Sequence, residues 1–376
     1  MSKQIHTPER IEHAINKVAR VVLYLLLLVG LVEAASWAAI QFYNLVGFAS
    51  LGLPSLNAVV AEPDPAGEVF AVWSNSVLFP TRWYTNQPNF RGRYVVTDDA
   101  GFRIDPTAVT EAKSIGFFGG STMFSVVTRQ EHTIPAQVHL PGFNSLNFGV
   151  HGYSTAAELP TLLEALRRYS RLEVAVFYDG VNEIGRYVEM LQDGAPEAFA
   201  AVGYYQRGDM DAAIASYLSW RQAGVIVQTP SMRIAKRAWL MLRAQAVSQS
   251  QSPEEIARSI AAQYFANIRD IRLIARANSV APIFVLQPNI FTTGKRLTPA
   301  ELAIRDRDRT IVAQLAPLVR SAIMSDPRAR TYDVIDTSDV FDAADGEIFY
   351  DWCHVGGAGN KIVADRMIAL ISAQLQ

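Results

Sequence analysis

The chain has few of the residues on which several classes of protein depend. Its single cysteine, Cys353, excludes an internal disulfide framework and a cysteine-rich metal site. A formal net charge of -2 gives no basic footprint, so we expect no nucleic-acid partner. Long repeats and low-complexity tracts are absent from the sequence. Because 50% of the residues are hydrophobic and 19% are charged, we expect a folded chain and not a disordered one.

Charged residues are also nearly absent from one region near the N-terminus. Between Val21 and Ala61 the only charged residue is Glu33. The apolar stretch 21–43 reaches the ~20 residues that cross a bilayer. Basic residues precede it, whereas the first charges after Glu33 are acidic. This asymmetry predicts a single-pass membrane protein with cytoplasmic residues 1–20, a transmembrane helix over 21–43, and a periplasmic or extracellular body.

A cleaved signal peptide is the alternative to an anchor, since Val32-Glu33-Ala34 loosely fits a small-x-small cleavage site. We favour the anchor because the apolar character continues past Ala34 as far as Val46. A charge in the middle of a membrane is costly and needs a partner. Glu33 therefore has a partner, lies near an interface, or marks the end of a shorter span, and we assign it no function.

The rest of the chain divides into a connecting region and a main domain. Residues 44–112 are predicted to be a connector followed by an aromatic-rich lead-in, Glu68 to Ile104, of short strands and loops packed on the main domain. From residue 113 to 376, short apolar runs alternate with helical patterns. This alternation predicts an α/β fold with a doubly wound, parallel, five-stranded sheet. The predicted strands are Ser114–Phe118, Asn144–Asn147, Val174–Tyr178, Pro282–Leu286 and Tyr332–Asp336.

Residues 187–251 do not fit this alternation, because they are too many for one connection between strands. Their helical patterns predict a helical insertion near the carboxyl edge of the sheet, where ligands bind in such folds. A lid or substrate-selecting surface and a simple surface elaboration explain the insertion equally well.

A hydroxyl group follows the first predicted strand. Ser121 comes after Gly119-Gly120, and a weak nucleophile of this kind needs a base and an exposed strand-to-helix turn. The helix that follows would direct its positive end at the site. Taken alone, Ser121 fits better as a helix N-cap after a glycine turn.

Histidine is scarce, which narrows the choice of base. The chain has six: His6, His13, His132, His139, His151 and His354. The first two precede the membrane span and the next two fall in or near a predicted helical stretch. Asp351 lies three residues before His354, where a carboxylate can fix the imidazole tautomer. His151 is an alternative base or substrate contact, although an ordinary loop histidine is the better interpretation.

Two loops after the second and third predicted strands suit an oxyanion hole, which needs preorganised hydrogen-bond donors. They are Asn147–Ser154 and Asp179–Glu183, and either one alone is more often a plain turn. Cys353 is expected to be a small packed residue and not a nucleophile. No spacing of histidines and carboxylates predicts a metal site.

Taken in chain order, these motifs resemble the four blocks of the SGNH (GDSL) hydrolase family over roughly Lys113 to Leu375. The blocks are Gly119-Gly120-Ser121, Gly152, Gly180-Val181-Asn182-Glu183 and Asp351-Trp352-Cys353-His354. The resemblance implies an SGNH/flavodoxin-like fold, with Ser121 as the nucleophile and His354 as its base, oriented by Asp351. It further implies an oxyanion hole formed by the backbone N–H groups of Ser121 and Gly152 and the side-chain amide of Asn182. It implies no cofactor. Two departures concern Gly120 and Glu183, where the family often has aspartate.

The upstream segment Thr97–Arg103 is similar to the lead-in of membrane-tethered bacterial members, which often act on envelope glycans. The resemblance therefore implies a serine-dependent acyl-ester hydrolase or O-acyltransferase that acts outside the cytoplasm on acylated envelope or extracellular glycans. The alternative is a non-catalytic, membrane-anchored binding or assembly protein that docks other envelope proteins through the anchor, Glu33 and the insertion. The complete set of Ser121, Asn182, Asp351 and His354 argues against that alternative.

Overall fold

A computed structural model describes residues 8–50, 68, 71–72, 75–79, 82–104, 112–126, 128–185, 231, 235, 252–307 and 311–376. The predicted insertion 187–251 lies outside this set except for Ser231 and Ala235. The connector lies outside it over residues 51–67.

The N-terminal region forms one helix, α1, from Pro8 to Ser50. The part from Asn16 to Ala39 is long and apolar enough to cross a membrane, and it contains most of the predicted span 21–43. A signal sequence has the same features. Glu33 accepts a hydrogen bond from the backbone N–H of Ser231 at 3.1 Å and another from the Ser231 hydroxyl. The charge that needed a partner in the apolar stretch therefore has one, from a residue of the predicted insertion.

The lead-in forms short strands and loops, as expected from its aromatic residues. Strands β1, Val77–Phe79, and β2, Trp83–Thr85, pair antiparallel. The chain then folds back on itself through isolated bridges, of which one joins Arg103 to Asn147 in the main domain. The lead-in thereby packs on the main domain.

The main domain contains a five-stranded sheet in which every neighbouring pair is parallel. Its strands are β3 Lys113–Gly119, β4 Phe143–Asn147, β5 Leu172–Asp179, β6 Ala281–Leu286 and β7 Val334–Asp336. The order β4-β3-β5-β6-β7 is the flavodoxin-like order of doubly wound sheets. The predicted fold class is confirmed, and each strand boundary falls within two residues of the predicted one.

Helices connect the strands and cover both faces of the sheet. They are α2 Ser121–Phe124, a 3-10 turn Gln130–His132, α3 Ile134–Gln137, α4 Thr155–Arg168, α5 Pro253–Ala277, α6 Pro299–Arg307, α7 Ile311–Ser325, α8 Pro327–Thr331 and α9 Gly357–Leu375. Buried residues of α4, α5 and α7 pack on one face, and those of α3 and α9 pack on the other. The sheet therefore lies between two helical layers.

Two of these helices begin where the sequence carries capping signals. The Ser252 hydroxyl accepts from the backbone N–H of Glu255 at 3.2 Å, and the Glu255 carboxylate accepts from that of Ser252 at 2.8 Å. Thr298 and Glu301 make the same reciprocal pair at 3.3 and 2.9 Å before α6. Each pair satisfies two backbone donors that a helix start leaves without partners.

The core follows from the alternation of side chains along each buried strand. In β3, Phe117 faces α3 and α9, while the adjacent Phe118 faces α4 and α5. Phe118 stacks on Phe177 of β5 with ring centroids 4.8 Å apart, and Phe177 stacks on Phe284 of β6 at 5.4 Å. This row of rings fixes the register of three central strands, whose carboxyl ends carry the loops of the site.

Candidate active site

The site lies at the carboxyl edge of the sheet, between β3 and β5. This is the point at which the strand order reverses, where doubly wound sheets bind ligands. Ser121 is the first residue of α2 and is 7% exposed. A Cβ on Gly119 would lie 2.9 Å from the carbonyl oxygen of Tyr178, so only glycine allows this turn to approach β5. The helix after Ser121 has only four residues, and the expected contribution of its positive end is accordingly small.

Three predicted residues form a continuous hydrogen-bonded relay. Nε2 of His354 lies 2.7 Å from the Ser121 hydroxyl oxygen. Nδ1 of the same ring lies 2.6 Å from Oδ2 of Asp351. An ionised carboxylate accepts only, so Nδ1 carries a hydrogen and Nε2 is the acceptor in the neutral ring. This is the arrangement in which imidazole can remove the serine proton.

Asp351 is held in its ionised form by the turn that it begins. Its second oxygen, Oδ1, accepts from the backbone N–H groups of Cys353 at 2.8 Å and His354 at 2.7 Å. Burial opposes ionisation, but the neighbouring His354 and these hydrogen bonds together keep the pKa of Asp351 below its ordinary value. The carboxylate therefore stays charged across the neutral range, as orientation of His354 requires.

The segment that leads into this turn is fixed by a buried ion pair. Glu301 of α6 accepts from Lys295 at 2.7 Å, and neither side chain has exposed area. Its other oxygen accepts from the backbone N–H groups of Ile348 at 2.8 Å and Phe349 at 3.0 Å. The Tyr350 ring stacks on the His354 ring, with centroids 5.7 Å apart. These contacts limit the motion of the imidazole.

The predicted oxyanion residues converge on the same turn. Nδ2 of Asn182 donates to the carbonyl oxygen of Tyr153 at 2.6 Å. A Cβ on Gly120 would lie only 1.9 Å from that Nδ2, so the amide lies directly over the residue before Ser121. Gly152 has a φ of +70° and occupies the third position of a turn closed by Tyr153 N–H and Val150 at 3.0 Å. That position requires a positive φ in a type II turn, which explains the glycine.

His151 points elsewhere in the structure, although it adjoins Gly152. Its Nδ1 lies 2.8 Å from Oδ1 of Asn86, and its ring packs on Tyr84 with centroids 5.4 Å apart. The Tyr84 hydroxyl donates to the His151 carbonyl at 2.8 Å. His151 thus joins the lead-in to the loop of Gly152, which agrees with its interpretation as a loop residue.

Arg103 of the lead-in holds the serine turn in place, a role that no pattern in the sequence indicates. All five of its N–H donors are used, although its side chain is buried and forms no ion pair with any carboxylate that the structure describes. They bind the Gln130 side chain and the carbonyls of Phe124, Ser125, Tyr94 and Thr128 at 2.7–2.9 Å. The pKa of Arg103 is lowered overall because the side chain is buried, and the charges of Glu131 and Glu68 offset only part of that shift. Its contacts fix the end of α2.

Gln287 is another neighbour of the serine turn that the sequence did not single out. Its Oε1 accepts from the hydroxyl of Thr122 at 2.9 Å, and its backbone N–H donates to the carbonyl of Asp179 at 2.8 Å. The available signal was its position directly after the predicted fourth strand. Gln287 connects the end of β6 to both β5 and α2.

Metal-ligand atoms do occur together at the site. Ligand atoms of Asp351, Cys353 and His354 all lie within 4.8 Å of one another, and Cys353 Sγ is 3.5 Å from Nδ1. Both ring nitrogens of His354 already have hydrogen-bond partners in Asp351 and Ser121. A metal ion would have to displace one of them, so the donor set fits the relay better than a metal.

The arrangement is a Ser–His–Asp relay in which a serine hydroxyl can be activated. No family model matches the chain, and no curated protein matches it. Among solved structures, it is similar to a GDSL-like lipase from Bacteroides thetaiotaomicron, with 12% identity, a TM-score of 0.36, and coverage of 71% of this chain and 91% of that one. It is also similar to a carbohydrate acetylesterase from Sinorhizobium meliloti, with 10% identity, a TM-score of 0.35, and coverage of 70% and 99%. An acetylxylan esterase from Geobacillus stearothermophilus matches with 12% identity, a TM-score of 0.31, and coverage of 68% and 93%.

Proposed function

We propose that the protein is a serine-dependent acyl-ester hydrolase or O-acyltransferase that acts outside the cytoplasm on acylated envelope or extracellular glycans. The observation that carries this proposal is the relay from Asp351 through His354 to Ser121, with contacts of 2.6 and 2.7 Å. A binding module has no need of a serine activated in this way, and this argues against the non-catalytic alternative.

The geometry supports a two-step acyl transfer. The Ser121 oxygen attacks the ester carbonyl carbon while Nε2 of His354 takes the hydroxyl proton. Charge then develops on the carbonyl oxygen, which the Ser121 and Gly152 N–H groups and the Asn182 amide are proposed to bind. One hydrogen of Asn182 Nδ2 binds Tyr153, and the other is the one assigned to the oxyanion. When the carbon–oxygen bond of the ester breaks, His354 returns its proton to the leaving alcohol.

The second step determines the product. Water that attacks the acyl-serine, with its proton accepted by His354, releases a carboxylic acid and restores Ser121. A sugar hydroxyl that attacks in the same way receives the acyl group instead. Both outcomes use the same residues, so they are separated by an acceptor assay and not by the relay.

The location and substrate class rest on different support. The helix over Asn16–Ala39 is long and apolar enough for a membrane span, and basic residues precede it. These two observations support the proposal that the body lies on the far side of the membrane. The glycan assignment rests on the resemblance of Thr97–Arg103 to the lead-in of membrane-tethered family members.

Ester hydrolysis by the full chain in detergent tests the proposal. With p-nitrophenyl acetate, we expect Ser121→Ala to lower kcat by on the order of 10³-fold or more, because the variant lacks the oxygen that His354 would activate. A fluorophosphonate probe should modify wild-type Ser121, and mass spectrometry should locate the adduct there. If the folded wild type neither cleaves acyl esters nor reacts with the probe, the proposed activity is wrong.

A further inference from the structure

A buried carboxylate joins the two loops that carry the proposed oxyanion donors. Glu183 is 7% exposed, and its Oε2 accepts from the backbone N–H of Gly180 at 2.8 Å. Its Oε1 accepts from the backbone N–H of Thr155, also at 2.8 Å. Gly180 directly precedes the helical turn 181–185 that carries Asn182, and Thr155 begins α4 directly after the loop that carries Gly152. One side chain thus sets the separation of the two loops.

Two more carboxyl groups lie beneath Glu183. Asp179 ends β5 and is 3% exposed, while Glu158 of α4 is 1% exposed. Both oxygens of Glu158 and Oδ2 of Asp179 lack a donor from any side chain or backbone group that the structure describes. The two side chains are direct electrostatic neighbours. Two buried carboxyl groups without donors cannot both be charged at low cost, so we infer that they share one bound proton.

The surroundings favour retention of that proton. Burial, followed by the charge of Glu183, raises the pKa of Glu158 to about 8, although the contact with Asp179 acts in the opposite direction. Burial and the charges of Glu158 and Glu183 raise the pKa of Asp179 well above its usual value. Tyr264 of α5 also faces the group, and burial together with the three acids raises its pKa. The electrostatic neighbours of the pair are therefore acids, which disfavour a second negative charge.

We propose that Glu183 is a positioning residue that holds Asn182 and Gly152 in register, and that the proton shared by Glu158 and Asp179 sets the alkaline limit of this arrangement. This inference rests on the proposed acyl-transfer function. Loss of the proton leaves adjacent buried charges without a donor between them. The strand end and α4 then separate, and Gly180 and Thr155, which Glu183 holds together, separate with them.

The direction of the pH effect follows from proton binding. Because both carboxyls titrate at higher pH in the folded state, the folded chain keeps protons that the unfolded chain has released. Stability therefore falls as pH rises from the ordinary carboxyl range, about 4 to 5, through the folded value for Glu158 near 8. The oxyanion loops are expected to loosen in the same direction.

The positioning role is tested with Glu183→Gln and Glu183→Asp. Glutamine keeps the shape but turns an NH2 group toward one of the two backbone donors. We expect kcat for p-nitrophenyl acetate to fall about 10–10²-fold with little change in KM, since the donors act on the transition state. Aspartate keeps the charge with less reach, so its kcat should lie between those of wild type and Glu183→Gln. Leu162→Ala is the control. It removes a buried side chain of α4 and leaves a cavity, so it should lower Tm without lowering kcat of the folded enzyme.

Glu158→Gln tests the proton. Its amide offers Asp179 a donor at every pH, so the variant should keep a larger fraction of its own maximal kcat at pH 9 than wild type keeps. Its Tm should also fall less between pH 6 and pH 9. Equal alkaline losses of kcat and Tm in the two proteins would overturn the role of the proton.

A second measurement separates this inference from the proposed function. Hydrogen exchange at the Gly180 and Thr155 amides reports the contacts of Glu183 without any substrate, and Glu183→Gln should accelerate it. The wild type could show slow exchange that is lost in Glu183→Gln and yet have no esterase activity. That result would overturn the proposed function and leave the positioning role of Glu183 intact. If the wild type is active and folded Glu183→Gln has the same kcat and the same hydrogen exchange, only the positioning role of Glu183 is overturned.

Discussion

Gly120 has no room for a side chain. An added Cβ would lie 1.9 Å from Nδ2 of Asn182 and 2.9 Å from the Tyr153 carbonyl. We predict that Gly120→Ala displaces the Asn182 amide and lowers kcat by about 10²-fold, the order expected for loss of one oxyanion donor. KM should change little, since the carbonyl oxygen gains its charge only in the transition state. Steady-state kinetics on an acyl ester measures both effects.

Gly185→Ala is the matched control for this substitution. Gly185 lies in the same helical turn as Asn182, and a Cβ there meets no atom of the described residues within 4 Å. The control should therefore keep wild-type kcat. Equal losses of kcat in both variants would show that glycine is needed at these positions for backbone flexibility. A wild-type kcat in Gly120→Ala would contradict the oxyanion role assigned to Asn182.

The sequence indicates the three residues of the relay, but it does not indicate the residues that hold them in place. Histidine scarcity and the spacing of Asp351 and His354 left few alternatives, so the serine, histidine and aspartate could be chosen before their distances were known. Glu301 has a local signature as a helix cap, but its second oxygen binds Ile348, 47 positions away. Such a contact depends on how helices pack on the sheet, which local patterns do not encode.

At the scale of elements, the lead-in supports the serine turn through one arginine. Arg103 binds two carbonyls at the end of α2, three and four residues after Ser121. We predict that Arg103→Lys, which offers three donors in place of five, lowers stability by about 2–4 kcal/mol, because carbonyls are left without partners. The same change should lower kcat, since α2 loses its brace. Thermal denaturation and kinetics on the folded variant measure the two effects.

Arg129→Lys is the corresponding control, because Arg129 is partly exposed and pairs with the exposed Glu131. It should change stability by less than about 1 kcal/mol. A wild-type Tm in Arg103→Lys would show that the buried guanidinium contributes nothing that an ammonium group cannot replace.

The strands were the most predictable elements of the fold. A buried parallel strand is a short apolar run, and each of the five runs formed a strand. The helix after Ser121 was less predictable, because Ser125 adopts a left-handed conformation that ends it after one turn. The sequence around Ser125 contains no glycine or proline that would mark this end. Tertiary contacts from Arg103 to Phe124 and Ser125 account for it instead.

If α1 is a membrane anchor, the two ends of the protein lie on opposite sides of the membrane. An alkaline phosphatase reporter fused after Gln376 should be active, because that enzyme folds only outside the cytoplasm. A reporter fused after Arg20 should be inactive. The mature chain should keep its full mass of 41.5 kDa if α1 is an anchor and lose about 3–4 kDa if it is cleaved after Ala34. An inactive reporter at Gln376 would place the body in the cytoplasm and contradict the proposed location.

The hydrogen bond between Ser121 and His354 joins residues 233 positions apart. At ribosomal rates of about 5–20 residues per second, the histidine is synthesised on the order of ten seconds to a minute after the serine. During that interval the nascent chain has a hydroxyl but no base to activate it. Strand β7 also precedes His354 in the chain and lies at one edge of the sheet. If His354 is the base for Ser121, a product truncated before residue 354 should leave acyl esters uncleaved.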